Sequence, residues 1–358
     1  VAQWDPLPSG EMQSHSNLPA VVASEKLGGS AAAASLEIQL KALDTATSAP
    51  VVTALAASPD GKYLAVAGDD HAIRILDAAS GEELQVVIGH SDWIRCLAFR
   101  DQAGGQPPLL YSAGDDGLLL EWTFVQPLQS REVIRLPFVV RSLDVSADQQ
   151  LIAIGGFSTD VLVWDIAGEL LLQRLRCPSG DIQAVAFSGD SQQVACGGRG
   201  GEVTVWDARS GQQLVAHAVH RRRVRSICFS ADGAQLTSVG EDRRLVRMDW
   251  RTGQIRAERE LGRTKLQALC MLADNTLATA GADNRIGLYD LASDRVVSEL
   301  EGHWGTVAVL VPCGKKLVSG SFHTTVRIWD LDKVGRQPDS VGLPVTTPVQ
   351  MDTNWQIR

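Results

Sequence analysis

Two stretches decide the fold: VRSICFSADGAQLTSVGEDRRLVRMD at residues 224–249, and IQAVAFSGDSQQVACGGRGGEVTVWD at residues 182–207. They match position for position at a spacing of 42. The same frame fits five more times, and its late aromatic position is held by Leu76, Trp122, Trp164, Trp206, Met248, Tyr289 and Trp329. Seven copies thus cover residues 51–330. Self-similarity at a period of this size marks a repeat architecture in which each unit is one supersecondary element.

Each copy carries three short strand patterns. An apolar run such as IQAVAFS ends in a polar turn holding Asp60, Asp148, Asp190 or Asp232. A second run, such as KYLAVAG, ends in small residues, and a third, such as EVTVWD, alternates apolar and polar. A fourth run follows, as in GEELQVVI. One such sheet cannot bury both faces alone, so copies must stack on one another. Seven sheets arranged radially close on themselves and shelter their strand edges.

The chain resembles the WD40 repeat family in its paired Gly-His and Trp-Asp signatures. Gly-His stands at Gly89-His90 and Gly302-His303; Trp-Asp stands at Trp164-Asp165, Trp206-Asp207 and Trp329-Asp330. The resemblance implies an all-β, seven-bladed WD40 β-propeller of four-stranded antiparallel blades. It also implies a structural hydrogen-bond chain within a blade, complete at His90, Ser112, Asp116 and Trp122. Blade five keeps His220, Ser238 and Asp242 but has Met248; blade seven keeps His303, Ser319 and Trp329 but has His323 in place of Asp. A His beside a Ser and an Asp invites a hydrolase reading. The per-blade repetition, with no nucleophile elbow or oxyanion-hole motif, favours the structural one.

Residues 1–34, rich in Pro, Ser, Gly and Ala, read as a linker or wrapping arm, residues 35–332 as the propeller, and 333–358 as an extended tail containing Pro338, Pro344 and Pro348. The alternating SLEIQLKAL at 35–43 is the expected closing strand of the last blade, with PVQMDTNW in the tail as its competitor. The first residue is Val1, which leaves a cleaved signal peptide and a trimmed larger parent both open.

Of 358 residues, 44% are apolar, enough for a large core, and the net charge of −9 argues against general adhesion to nucleic acid or anionic lipid. No apolar run approaches the roughly 20 residues of a membrane span. A soluble protein is expected, with the cytoplasm placed ahead of a bacterial periplasm or envelope. The six cysteines, at 96, 177, 196, 228, 270 and 313, lack metal-ligand spacing and read as core residues. No metal and no cofactor are expected.

Against that acidic background HRRRVRS, residues 220–226, concentrates positive charge. In a propeller this stretch connects two blades and therefore lies on the top face, together with the turns after each second strand. The same face collects Arg199, Arg221, Arg222, Arg223, Arg243, Arg244, Arg263, Lys265 and Arg285 over blades four to six. At the channel mouth the second residue of each inner strand is Thr53, Arg95, Arg141, Gln183, Arg225, Gln267 and Ala308. These twelve cations are the candidate partner-binding set, since guanidinium forks suit carboxylate or phosphate. A solvated face with arginines paired to neighbours such as Glu241 or Asp283 is the competing reading.

The function these features favour is a non-catalytic protein–protein interaction scaffold that takes an acidic peptide or partner protein on its top face. A nucleic-acid binder is the first alternative; the only aromatics between 199 and 285 are Trp206, Phe229 and Trp250, which suit packing better than base stacking. A propeller enzyme with an axial site is the second, with His71, His323 and the channel arginines as its sole candidates. A module of a larger bacterial envelope or cytochrome-containing protein also fits, though no haem-binding motif is present.

Overall fold

A computed structural model describes residues 35–43, 48–124, 129–178, 180–261, 264–272 and 275–334. Their strands form seven four-stranded antiparallel sheets. Blade one shows the plan, pairing Val52–Ala57, Tyr63–Gly68, Ala72–Asp77 and Glu83–Ile88 in sequence order. The first strands of successive blades adjoin around a closed ring: Val52–Ala57 neighbours both Ile94–Arg100 of blade two and Val307–Cys313 of blade seven.

Burial explains why the ring holds. Apolar side chains project from both faces of the middle strands, and each face is covered by the adjacent blade. Ile73 and Ile75 of blade one pack with Leu97, Leu110 and Trp122 of blade two. Tyr111 and Leu119 of blade two pack with Ile152, Leu162 and Trp164 of blade three. Each fully buried side chain of this kind contributes about 1.5–3 kcal/mol. Outer strands alternate instead, as in Gln213–Ala218, because one face meets solvent.

Short polar devices set the turns. Ser58 Oγ donates to Asp60 at 2.6 Å, and Ser146 to Asp148 and Ser188 to Asp190 repeat it at the same distance. The longer loop of blade two, 101–108, forms a 3-10 turn at Ala103–Gly105 and rests on blade three, where the Asp101 amide donates to Gln149 Oε1 at 2.9 Å.

Blade seven takes its outermost strand from the N-terminal side. Ser35–Gln39 runs antiparallel to Thr325–Asp330, with Ser35 opposite Trp329 and Gln39 opposite Thr325. Glu37 pairs with Arg327, and the buried Arg74 donates from Nη2 to the Lys41 carbonyl at 2.9 Å. The arm at 1–34 and the tail from 335, including PVQMDTNW, lie outside the described residues. Among the described residues no helix is long and apolar enough to cross a membrane.

Candidate functional site

The top face is organised by two rings of equivalent positions. The inner ring is the one beginning at Thr53. The second ring consists of residues that follow the second strands at the repeat spacing: Asp69, Asp115, Phe157, Arg199, Glu241, Ala282 and Phe322. Where a blade places arginine in the first ring and a carboxylate in the second, the two bond. Arg95 donates to Asp115 through Nε at 2.8 Å and Nη2 at 2.5 Å. Arg225 Nη2 lies 2.6 Å from Glu241 Oε1, and its Nη1 donates to Gln183 at 3.2 Å.

Blade three breaks this rule. Its first-ring Arg141 finds Phe157 in the second ring and stacks on it, guanidinium carbon 4.5 Å from the ring centroid. The carboxylate beside it is blade two's Asp115, at 4.0 Å. Arg141 Nε is buried with no hydrogen-bond partner, as is Arg225 Nε. Burial depresses the Arg141 pKa, and repulsion from Arg95 and Arg225 adds to the depression against the pull of Asp115. Glu241 is shared more widely, with Arg223 at 3.8 Å and Lys265 at 3.6 Å besides Arg225. Five cations, Arg95, Arg141, Arg223, Arg225 and Lys265, therefore share two carboxylates, Asp115 and Glu241.

Further out, the candidate arginines are matched by acids on neighbouring strands. Arg199 pairs with Asp181 at 3.4 Å, Arg243 with Glu260, Arg244 with Glu258 at 2.6 Å, and Arg285 with Glu299 at 2.9 Å and Glu301 at 3.0 Å. Asp181 lies in the connection into blade four, and the four glutamates come from or just after outer strands, which a search of top loops does not reach. Arg263 lies outside the described residues. Arg221 and Arg222 differ from the rest: both are exposed, and among the described residues neither side chain has an ion-pair partner.

Blade five holds the backbone of Arg221 in place through buried polar contacts. His220 donates or accepts at Nδ1 with Asp242 at 2.9 Å and at Nε2 with Ser238 at 2.8 Å. The Arg221 amide donates to the other Asp242 oxygen at 2.9 Å. Burial would raise the Asp242 pKa, but the His220 bond and backbone amides outweigh it and hold the carboxyl down to about 2. The chain approaches so closely here that a Cβ on Gly201, whose φ is +81°, would stand 2.1 Å from the His220 carbonyl.

Blade two makes the same chain with all four members. His90 meets Ser112 at 2.7 Å and Asp116 at 2.9 Å, and Trp122 Nε1 donates to Ser112 at 2.8 Å. In blade seven His303 meets Ser319 at 2.7 Å, with Trp329 donating to the same hydroxyl at 2.8 Å. His323 does not fill the Asp role there. Thr325 Oγ1 does, 3.2 Å from His303 Nδ1.

Four aromatic side chains on the top face were not among the candidates. Trp93 enters blade two and Trp304 enters blade seven; Phe157 and Phe322 follow the second strands of blades three and seven. They are 39%, 79%, 48% and 51% exposed, whereas Trp206, Phe229 and Trp250 are buried. Arg95 stacks on Trp93 at 4.4 Å, as Arg141 does on Phe157. The repeat frame places all four in top loops, so the signal was present outside the segment searched. Among the described residues no three His, Cys, Asp or Glu side chains are grouped to hold a metal ion.

Comparison with known families agrees with the ring. The WD domain, G-beta repeat model matches residues 169–207, 211–246 and 294–330, and the anaphase-promoting complex subunit 4 WD40 domain model matches residues 39–102. The chain belongs to the WD40 repeat family. Each G-beta match begins near the outer strand of one blade and ends on the third strand of the next, so the WD40 sequence unit straddles two sheets.

Individual relatives share shorter stretches. A zebrafish (Danio rerio) THO complex subunit 6 homolog is 33% identical over 79 residues, 22% of this chain and 23% of the relative. Nuclear distribution protein PAC1-2 of Postia placenta is 36% identical over 89 residues, 25% and 18%. Mitochondrial division protein 1 of Schizosaccharomyces pombe is 34% identical over 83 residues, 22% and 13%. The matched stretches span less than a quarter of these relatives' lengths.

Proposed function

We propose that this WD40 propeller is a non-catalytic scaffold that holds an acidic segment of a partner protein across the mouth of its channel. The observation that carries this reading is the surplus of five cations over two carboxylates at Asp115 and Glu241, with Arg141 Nε and Arg225 Nε lacking partners. Buried donors without acceptors are costly, so a carboxylate that reaches them gains more than a surface ion pair would. Trp93 and Phe157 beside the arginines supply the aromatic anchors that protein interfaces favour. A relative named as a subunit of the THO complex is consistent with work inside an assembly.

A labelled pool of Asp- and Glu-rich peptides tests the reading by fluorescence anisotropy. Wild type should bind with an affinity that falls steeply with salt. Charge reversal at Arg221, Arg222, Arg223 and Arg225 should abolish binding while the circular dichroism spectrum stays that of the parent. Unchanged affinity in a folded variant sinks the proposal. An oligonucleotide of matched charge, run in parallel, tests the nucleic-acid reading that the exposed aromatics support.

A further inference from the structure

We propose that a recess on the top face between blades five and six receives the phosphate of a phosphorylated Ser or Thr in the bound segment. The proposal rests on the scaffold reading above and names one contact within it. Arg221, Arg222, Lys265, Thr264, Glu241 and Asp242 line the recess, and Arg243 adds a further wall.

Its charges do not cancel. Asp242 is taken by His220, by the Arg221 amide and, at 3.7 Å, by Arg244. Glu241 is taken by Arg225, with Arg223 and Lys265 nearby. Arg243 is taken by Glu260. The guanidinium groups of Arg221 and Arg222 are left as two full positive charges with no counter-ion among the described residues. The wall also contains a hydroxyl without a partner, since Thr264 Oγ1 is buried and unbonded.

That combination suits a phosphate better than a carboxylate. A phosphate monoester carries a charge near −2 and three acceptor oxygens, which match two guanidinium forks and a hydroxyl donor. A carboxylate brings one charge and two oxygens, so it leaves one arginine unanswered. Arginine forks, rather than lysines alone, favour oxyanions with several oxygens in fixed geometry. The anchoring of Arg221 through its own amide fixes where the first fork begins.

The test uses the whole chain and two pools of peptides, randomised around a fixed phosphoserine or a fixed serine. Wild type should retain the phosphoserine pool at least about tenfold more tightly, the scale of a charge-assisted contact. In Arg221→Ala/Arg222→Ala, whose altered side chains are exposed, that ratio should collapse to about one. Thr264→Val should reduce it about threefold. Equal retention of both pools by wild type overturns the proposal, as does a phosphoserine preference that survives the double substitution. Inorganic phosphate that competes only at millimolar concentration supports a peptide-borne group; competition as tight as the pool makes this a free-ion site. Equal retention of a charge-matched oligonucleotide, equally lost in the double variant, reassigns it to nucleic acid. An acidic serine pool that still binds, and weakens in Arg141→Gln/Arg225→Gln, leaves the scaffold reading standing when the phosphate preference fails.

Discussion

The Arg141 guanidinium stands 4.5 Å from the Phe157 ring centroid, at the position where blades two and five place a carboxylate against their own arginine. This exchange leaves Arg141 positively charged and open toward the channel mouth. An aspartate at the Phe157 position would recreate the Arg95–Asp115 pair in blade three. Phe157→Asp should therefore weaken binding of the acidic peptide pool about tenfold, the loss of one charge-assisted contact, with little change in stability because Phe157 is 48% exposed. Anisotropy titrations at two salt concentrations, alongside a urea melt, measure both. Undiminished affinity would show that Arg141 is not part of the binding surface.

Glu241 gives a prediction of opposite sign in the two readouts. Its carboxylate answers Arg225, Arg223 and Lys265, and it is largely buried. Glu241→Gln removes the charge and keeps the shape, leaving three cations to repel one another. Stability should fall by about 2 kcal/mol, while affinity for the acidic pool rises because the mouth gains positive potential. A variant that loses stability and affinity together would indicate local disorder rather than the electrostatic role argued for Glu241.

The ring of blades was legible because a period near 42 repeats the same burial demand seven times, and packing depends on residue type at fixed positions. The inner ring of arginines was legible for the same reason. Their state was not. Whether Arg244 or Arg285 is free depends on Glu258, Glu299 and Glu301, which lie on or just after fourth strands where the repeat imposes no residue. Thr325 completing the blade-seven chain was equally hidden, because it enters from two positions beyond the missing Asp. Side-chain reach decides such contacts, and period carries no information about reach. The exposed Trp304 and Phe322 were within the repeat frame but outside the arc chosen by charge.

Arg74 is the most deeply buried cation described, 1% exposed, and Asp70 bonds it through both oxygens, at 2.6 and 3.2 Å. The same guanidinium holds the Lys41 carbonyl beside the closing strand. Asp70→Asn leaves that charge only Glu83, 3.7 Å from Nε and itself exposed, as counter-ion and should cost about 3 kcal/mol, the low end for a broken buried pair. Lys62→Gln, which breaks an exposed pair with Asp60 and leaves the Ser58–Asp60 bond in place, should change stability far less. Urea denaturation of the two variants compares them directly. Similar losses would mean that Glu83 and the Lys41 carbonyl suffice for Arg74 without Asp70.

Acid sensitivity should trace to the hydrogen-bond chain of blade seven. Burial, with Arg327 and His323 nearby, pushes the His303 imidazole down to about 3 from its ordinary value of 6.5. The folded state thus disfavours the protonated ring that the unfolded chain accepts. His303 contributes its full stability above pH 6.5, and this is lost as pH falls toward 3, at about 1.4 kcal/mol per pH unit in the limiting slope. Asp144 acts with the opposite sense. Burial raises its pKa from 3.8 to about 6, so the stability tied to its protonated form fades as pH climbs through that range. Because Asp144 is common to both proteins, it cancels when wild type is compared with His303→Gln. Between pH 6.5 and 4.5 wild type should lose roughly 2–3 kcal/mol more than the variant, which carries no titrating group at this position. Urea melts at half-unit pH intervals give the two slopes, and parallel slopes would place the acid-labile contact elsewhere in the ring.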